Sequence, residues 1–575
     1  MDQTTRLRAL MAGIGALAGV SLYLLGRVLE EHLLGDRPAL ALTAFAAVFF
    51  TGLLAMAGPL PIRRASINAA FTALITSLLL AWASLRFDSI DGLLNSPIPV
   101  LSTLILTVVP LPFLIAAAGS GWRDYPALFT HAWTIVVRYA SAWLFVGVVW
   151  AVIFLSDTLL EIVGLSIIGT LIDIPIVPWI VTGLTLGLAL AVVTELSDLV
   201  SPYLILRLLR LLLPVVLIVV VIFIVALPFK GLSGLFGTLS AATTLLIMAA
   251  TAATLVTTAI DQSDAEATSS HLMGRATQAL ALIVPIPALL GAYSIWVRVS
   301  EYGWTPDRVF AALVAALAIG YGAFYASAVL RGDGWMTRIR QGNISMALAL
   351  IIVAAALLTP ILNPERIATN SQLARFHDGR TLVANLDVEN LRQWGRAGAR
   401  ALTALENQAK QPGQEALALR LQNSPAEFSA QDIGEVTASL RAILPVQPAT
   451  ASALRDRLLD AAEPSDRTYW LSVCQDRLPD GRPGCVMVVG DLLVNAPGDE
   501  AILVMRDTSG RIFTQGLAER GGTIAFPSSH DFLPENIEGD AAIAMIMALQ
   551  DAAPRITPAP LNQIEVLGHG FVLYP

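Results

Sequence analysis

The chain has 575 residues, 55% of them hydrophobic and 14% charged, with a mean hydropathy of +0.68. Ordinary soluble domains carry roughly 25% charged residues, so these values exclude a disordered, collagen-like or coiled-coil chain and a wholly soluble enzyme, and point to a polytopic membrane protein. The net charge of −8 speaks against a nucleic-acid partner, and two cysteines are too few for a disulfide scaffold or a cysteine-rich metal site.

In chain order, apolar cores at 9–29, 39–58, 66–85, 99–118, 132–155, 176–194, 208–228, 239–260, 276–297, 309–330 and 345–362 predict eleven membrane spans. Hydrocarbon offers no partner to a backbone N–H or C=O, so runs of about 20 apolar residues must be helices. They do not alternate as barrel strands do. The 14-residue stretch Leu159–Ile172, bracketed by Asp157 and Asp173, is short for a span and suits a re-entrant or interfacial helix. Counted as a span, it would make twelve and move the tail across the membrane.

Residues 1–362 carry 18 basic and 18 acidic residues, whereas residues 363–575 carry 18 and 26. The expected organisation is therefore a transmembrane domain at 1–362, a helical neck at 363–462 and a soluble α+β domain at 463–575. In the tail, Leu382–Leu405, Ala430–Leu444 (with Ser429 as cap) and Thr450–Ala462 have helical spacing. Tyr469–Cys474, Cys485–Val489, Ala501–Arg506 and Arg511–Gly516 are strand-like, with a turn at Asp507–Gly510. Helix is expected at Asp540–Gln550, and closing strands at Gln563–Leu567 and Phe571–Leu573.

Arg6 and Arg8 precede the first span, and no A-x-A site follows it, so it is not read as a cleavable signal. Alternate loops hold eleven basic residues on the N-terminal side against five on the other. The positive-inside rule then predicts a cytoplasmic N-terminus in a bacterial inner membrane and, after eleven spans, a periplasmic tail. Cys474 and Cys485 flank the turn signal Pro479-Asp480-Gly481. They are a candidate disulfide in an oxidising compartment, or else two unrelated half-buried thiols.

Three stretches carry a family resemblance. Arg298-Val-Ser-Glu-Tyr-Gly-Trp-Thr-Pro-Asp-Arg308, Asn363-Pro-Glu-Arg through Asp378-Gly-Arg380, and Leu386-Asp-Val-Glu-Asn-Leu-Arg-Gln-Trp-Gly-Arg396 resemble segments of an uncharacterised bacterial multi-pass family, domain of unknown function forty-one fifty-three. In the third, Leu386 and Val388 replace the family's usual aromatics. The resemblance spans roughly residues 1–405 and implies the membrane architecture. It implies no activity, ligand or catalytic residue.

Candidate binding residues are few. Thr305, Pro306 and Asp307 read as a cap, first-turn proline and dipole partner for the tenth span, with Tyr302 and Trp304 at belt positions. Arg298 could pair with Glu301, and this segment is also a candidate outer-face binding site. Arg138 and Glu195 form a candidate inner-side polar pair, with Asp198 beside it. Val109-Pro110-Leu111-Pro112 in the fourth span and Val284-Pro285-Ile286-Pro287 in the ninth are matching helix breaks five spans apart, as an inverted repeat would place them. No acid falls at a predicted midplane, against ion-coupled transport. No nucleotide-binding, hydrolase-elbow or zinc-protease motif occurs. His530-Asp531 is read as part of a loop. No cofactor or metal is expected, and catalysis is not. The expected partners are the lipid bilayer and a periplasmic protein or small ligand. Two functions follow: an inner-membrane anchor for a periplasmic partner-binding or sensing domain, or a transporter or lipid-handling protein with proline-broken helices.

Overall fold

The computed structural model describes residues 3–31, 33–195, 202–236, 241–268, 270–422, 430–492, 498–506, 510–520, 523–525, 529–531, 537–557, 563–566 and 569–573. The chain divides into two compact units, Met1–Ser424 and Pro425–Pro575.

In the first unit, eleven helices are long and apolar enough to cross a membrane. They are span 1 (Thr5–Glu30), span 2 (Asp36–Met56), span 3 (Ile62–Ser84), span 4 (Pro97–Ala117), span 5 (Tyr125–Ile162), span 6 (Val177–Glu195), span 7 (Ile205–Leu227), span 8 (Ala241–Ile260), span 9 (His271–Tyr302), span 10 (Pro306–Leu330) and span 11 (Trp335–Leu357). The chain is thus a multi-pass helical membrane protein with a small C-terminal sheet region, as the apolar runs predict. Leu159–Ile172 forms no span of its own. The helix of span 5 runs on to Ile162, Gly164 turns at φ +77, and Ile167–Ile172 is a six-residue helix.

Lipid tails are as apolar as leucine, so spans associate by close packing rather than by a hydrophobic drive. Spans 1 and 6 show this in its barest form. Gly15 and Gly19 of span 1 face Gly183 and Gly187 of span 6, and a Cβ added at Gly15 would fall on the Gly183 carbonyl oxygen. The reverse holds at Gly183 against Gly15, and Gly187 meets the Met11 carbonyl in the same way. The two backbones touch.

Both proline motifs interrupt their helices at the same residue. Span 4 is divided at Val109 before Pro110, and span 9 at Val284 before Pro285. Each valine keeps right-handed helical angles, so the path bends without unwinding. A proline has no N–H, which deprives the carbonyl four residues earlier of its helical donor.

After span 11 a neck helix, Pro364–His377, starts on Asn363, whose side chain accepts the Arg366 N–H at 2.9 Å. The single helix expected over Leu382–Leu405 is instead two. Val388–Gln393 and Gly395–Ala409 are separated at Gly395, where φ is +54 and a Cβ would lie 2.6 Å from the Arg86 carbonyl. Close approach to span 3's end breaks a pattern that periodicity alone reads as continuous.

In the second unit, sheet β1-β2-β3-β4-β5 comprises Val446–Gln447, Cys485–Gly490, Glu500–Arg506, Ile512–Arg520 and Thr523–Ala525. Strands β2 and β3 are buried on both faces, which is why they read as unbroken apolar runs. Cys485, Met487 and Val489 face Trp470 and Leu458, while Val486 and Val488 face Met545 and Ile546 of the helix Asp540–Asp551. A second sheet, β6-β9-β8-β7, joins Ser529–Asp531, His569–Leu573, Gln563–Val566 and Arg555–Thr557.

One strand expectation fails. Tyr469–Cys474 belongs to the helix Pro464–Gln475. Pro464 occupies its first turn, and Trp470, Val473 and Cys474 are buried at helical spacing. Cys474 and Cys485 form a disulfide with Cα atoms 5.0 Å apart, bridging that helix to β2. The intervening turn has Gly481 at φ +86. His530 and Asp531 lie on strand β6, not in a loop. Ser429 and most of the turn at 507–510 fall outside the described residues.

Candidate functional site

Spans 4, 5, 8, 10 and 11 surround a cavity of about 530 Å³. One wall is an aromatic ladder on span 5. Tyr125, Phe129 and Trp133 lie four residues apart, so they share a helix face, with ring centroids 5.9 and 6.4 Å apart. Tyr321 and Tyr325 of span 10, edge to face at 5.9 Å, also line the cavity. Leu246, Ala249, Ala250 and Ala253 of span 8 and Val108, Val109 and Pro112 at the break of span 4 contribute to the lining. From Leu246 to Thr257 the lined face of span 8 is about 16 Å long at 1.5 Å per residue.

One end of the cavity is polar. Tyr325 is fully buried, and its hydroxyl donates to Asn343 Oδ1 at 2.7 Å and lies 2.8 Å from Thr257 Oγ1. The Asn343 amide donates to the Tyr125 hydroxyl at 3.1 Å and reaches Thr257 Oγ1 at 3.4 Å. Four spans are thereby tied together by neutral groups. A knot of charge lies at the nearby C-terminus of span 8. Arg340 donates to the carbonyls of Ile260 at 2.5 Å and Asp261 at 3.1 Å, and to Asp264 at 2.6 Å. Arg210 pairs with the buried Asp261 carboxylate. Cations on the last carbonyls of a helix suit both their unmet hydrogen bonds and the dipole.

The side of the cavity is open. At the polar end, spans 5 and 8 are linked where Thr130 Oγ1 donates to Gln262 Oε1 at 2.7 Å. Farther along, Val136 of span 5 and Ala250 and Thr254 of span 8 are exposed.

At the opposite end of the bundle, the three family-like stretches contribute to one clasp. Arg375 of the neck helix donates to the carbonyls of Ser300, at 3.0 Å, and Glu301. Gln372 donates to those of Tyr302 and Trp304 at 2.9 and 3.0 Å, and Ser371 Oγ accepts the Trp304 N–H at 3.1 Å. Gly303, at φ +77, allows this approach, because a Cβ would lie 2.6 Å from Arg375. Arg396 donates its N–H to the Arg86 carbonyl at 2.8 Å and its side chain to Asp88 at 3.2 Å.

Arg86 itself is buried. It donates to the carbonyls of Leu357, at 2.7 Å, and Thr359, and lies 3.5 Å from Glu365. Burial draws the Arg86 guanidinium below its ordinary pKa and pushes the Glu365 carboxyl above its own. Desolvation thus outweighs the attraction between the partners.

The chain belongs to the family Domain of unknown function (DUF4153). Its model matches residues 15–405, which takes in spans 2–11, most of span 1, and the clasp. No curated protein and no solved structure matches the chain.

The candidate residues of this DUF4153 protein sort themselves by place. Arg138 and Glu195 are not a pair. Glu195 is bonded by Arg8, with Nη2 at 2.5 Å and Nε at 2.9 Å. Arg138 is 4% exposed inside span 5, and its hydrogen-bond partners among the described residues are the Ala55 and Leu190 carbonyls, each at 3.5 Å. Its Nε has no partner among the described residues. Asp198 lies outside those residues. Arg298 and Glu301 are exposed and form no ion pair among the described residues. Tyr302 is exposed with the Arg308 guanidinium 5.7 Å over its ring, and Thr305 caps span 10 as expected. Of the prolines, Pro112 lines the cavity and Pro110 begins the same half-helix. Pro285 packs on Gly322 of span 10, and Pro287 is buried. Tyr125, Thr257, Tyr321, Tyr325 and Asn343 are not among the sequence candidates, because none of them carries a charge at neutral pH. The four-residue spacing of Tyr125, Phe129 and Trp133 was the available signal. Among the described residues, no group of His, Cys, Asp and Glu could hold a metal ion.

Proposed function

We propose that this DUF4153 protein binds an amphipathic, lipid-like molecule within its membrane body. The cavity open between spans 5 and 8 carries this reading. A cavity of about 530 Å³ lies in the usual range for small-molecule sites, and it joins an apolar wall to a few convergent polar groups. Its side opening suits a ligand entering from the bilayer. The half-helix break at Val109 stands at its wall, as breaks do in transporter sites. The matching break at Val284 supports, more weakly, an inverted relation between spans 2–5 and 7–10, which pack in the same succession.

On this reading the N-terminus is cytoplasmic, in keeping with the eleven-to-five basic bias, and the second unit is periplasmic in a bacterial inner membrane. The Cys474–Cys485 bridge favours an oxidising compartment. It also favours a second role, in which that unit senses or binds a periplasmic partner.

The test is lipid analysis of the full chain purified in mild detergent, beside an Ala250→Trp variant that plugs the gap from its exposed side. A lipid retained in stoichiometric amount by the parent and lost from the variant is the expected result. Equal retention by both, or none by the parent, refutes the reading.

A further inference from the structure

The polar atoms of the cavity wall define what the ligand's head must be. Tyr125 accepts its hydrogen bond from Asn343, so its own O–H proton has no acceptor among the described residues. The Tyr321 hydroxyl has no partner there either, and neither has the Trp133 indole N–H, although both side chains line the cavity. The three side chains are half-buried and line one cavity. Three unspent donors around one space suit a molecule that accepts.

Charge narrows the choice. Among the described lining residues there is no Asp, Glu, Lys, Arg or His. The nearby cations are already committed, Arg340 to Asp264 and two carbonyls, and Arg210 to Asp261. An anionic or cationic head would be buried without a counter-charge, which is far costlier than burying a hydrogen-bonded neutral group. Size and opening supply the rest, since the apolar face is about 16 Å long and leads to a lateral gap.

Resting on the lipid-binding reading above, we infer that the cavity takes an uncharged, carbonyl-bearing lipid. Its head accepts hydrogen bonds from Tyr125, Tyr321 and Trp133, and its chain leaves between spans 5 and 8. Two lipid classes share that chemistry. An isoprenoid quinone offers ring carbonyls that also stack on the aromatic ladder. A diacylglycerol offers ester carbonyls and one hydroxyl. The hydroxyl has a matching acceptor at Val108, whose carbonyl loses its helical donor to Pro112.

The experiment measures binding of a short-chain isoprenoid quinone, a diacylglycerol and a phosphatidic acid to the full chain in phosphatidylcholine nanodiscs. At least one neutral lipid is expected to bind about tenfold or more tightly than phosphatidic acid. Tyr321→Phe and Trp133→Phe should each weaken the neutral lipid about two- to tenfold, the worth of one hydrogen bond. Pro112→Ala, which returns a donor to Val108, should weaken diacylglycerol and spare quinone, and so separates the two sources. Phosphatidic acid binding as tightly, or both ring variants leaving neutral-lipid affinity unchanged, overturns the inference while the lipid-binding reading stands. If none of the three binds and the purified chain retains no lipid of its own, that reading falls and the inference with it.

Discussion

Two contacts between helices in the membrane body solve the same problem in opposite ways. Spans 1 and 6 lack side chains where they cross, so Gly15, Gly19, Gly183 and Gly187 bring backbone against backbone. Spans 5 and 8 instead both line a cavity, and the ring ladder of Tyr125, Phe129 and Trp133 forms one of its walls. Where no hydrophobic drive joins helices, small residues make a seam and large rigid ones hold open a space. The seam contributes stability. The space contributes a site, and it is closed at one end by neutral hydrogen bonds that order four spans.

The largest expected effect falls on the seam. Gly183→Leu places a side chain on the Gly15 carbonyl, and the loss should exceed about 4 kcal/mol, so folded protein should not be recovered by size-exclusion chromatography. Ala250→Leu, on the open gap, should cost under about 1 kcal/mol in the same assay. Equal losses at both places would erase the distinction between seam and space. Next is the clasp. Arg86→Ala strands a buried carboxylate and two carbonyls and should cost about 3–5 kcal/mol in a detergent melt. Smaller again is Tyr325→Phe, which leaves Asn343 and Thr257 short of a partner at the polar end, for about 1–3 kcal/mol. An unchanged melting temperature would show that this end is not tied as described.

The smallest effect concerns pH. Burial raises the Glu365 carboxyl above its ordinary pKa, so the folded clasp binds that proton more tightly than the unfolded chain does. This contribution is fully present below the ordinary carboxylate value and is lost as pH rises through the raised one. Mild acidification should therefore strengthen the clasp in the parent, and Glu365→Gln should remove that dependence. The opposite slope would mean that attraction to Arg86 outweighs the desolvation.

The sequence made some of this legible and hid the rest for physical reasons. Apolar length locates all eleven spans, because hydrocarbon leaves the backbone no other choice. V-P-x-P marks both helix breaks, since proline acts locally. The clasp was half visible: Thr305 and Pro306 read correctly as a cap, but the hold of Arg375 and Gln372 on that loop is a long-range fact with no local trace. Tyr469–Cys474 misled because a short apolar run fits either period, and only the burial of Trp470, Val473 and Cys474 on one helix face decides it. Arg138 and Glu195 fall on one side of the membrane by span counting, which says nothing about azimuth around the helix. Azimuth gives Glu195 to Arg8. The glycine seam and the aromatic ladder are both spelled out at four-residue spacing, in residues that carry no charge.

The central claim is that a lipid occupies the space between spans 5 and 8, and photocrosslinking tests it most directly. A benzophenone side chain at Leu317, on the cavity wall, and another at Leu144, 73% exposed on the outside of span 5, are irradiated in native membranes. The account predicts that Leu317 captures one narrow class of uncharged lipid, while Leu144 captures the bulk phospholipids in proportion to their abundance. Bulk phospholipid at both positions, or no lipid at Leu317, would contradict it.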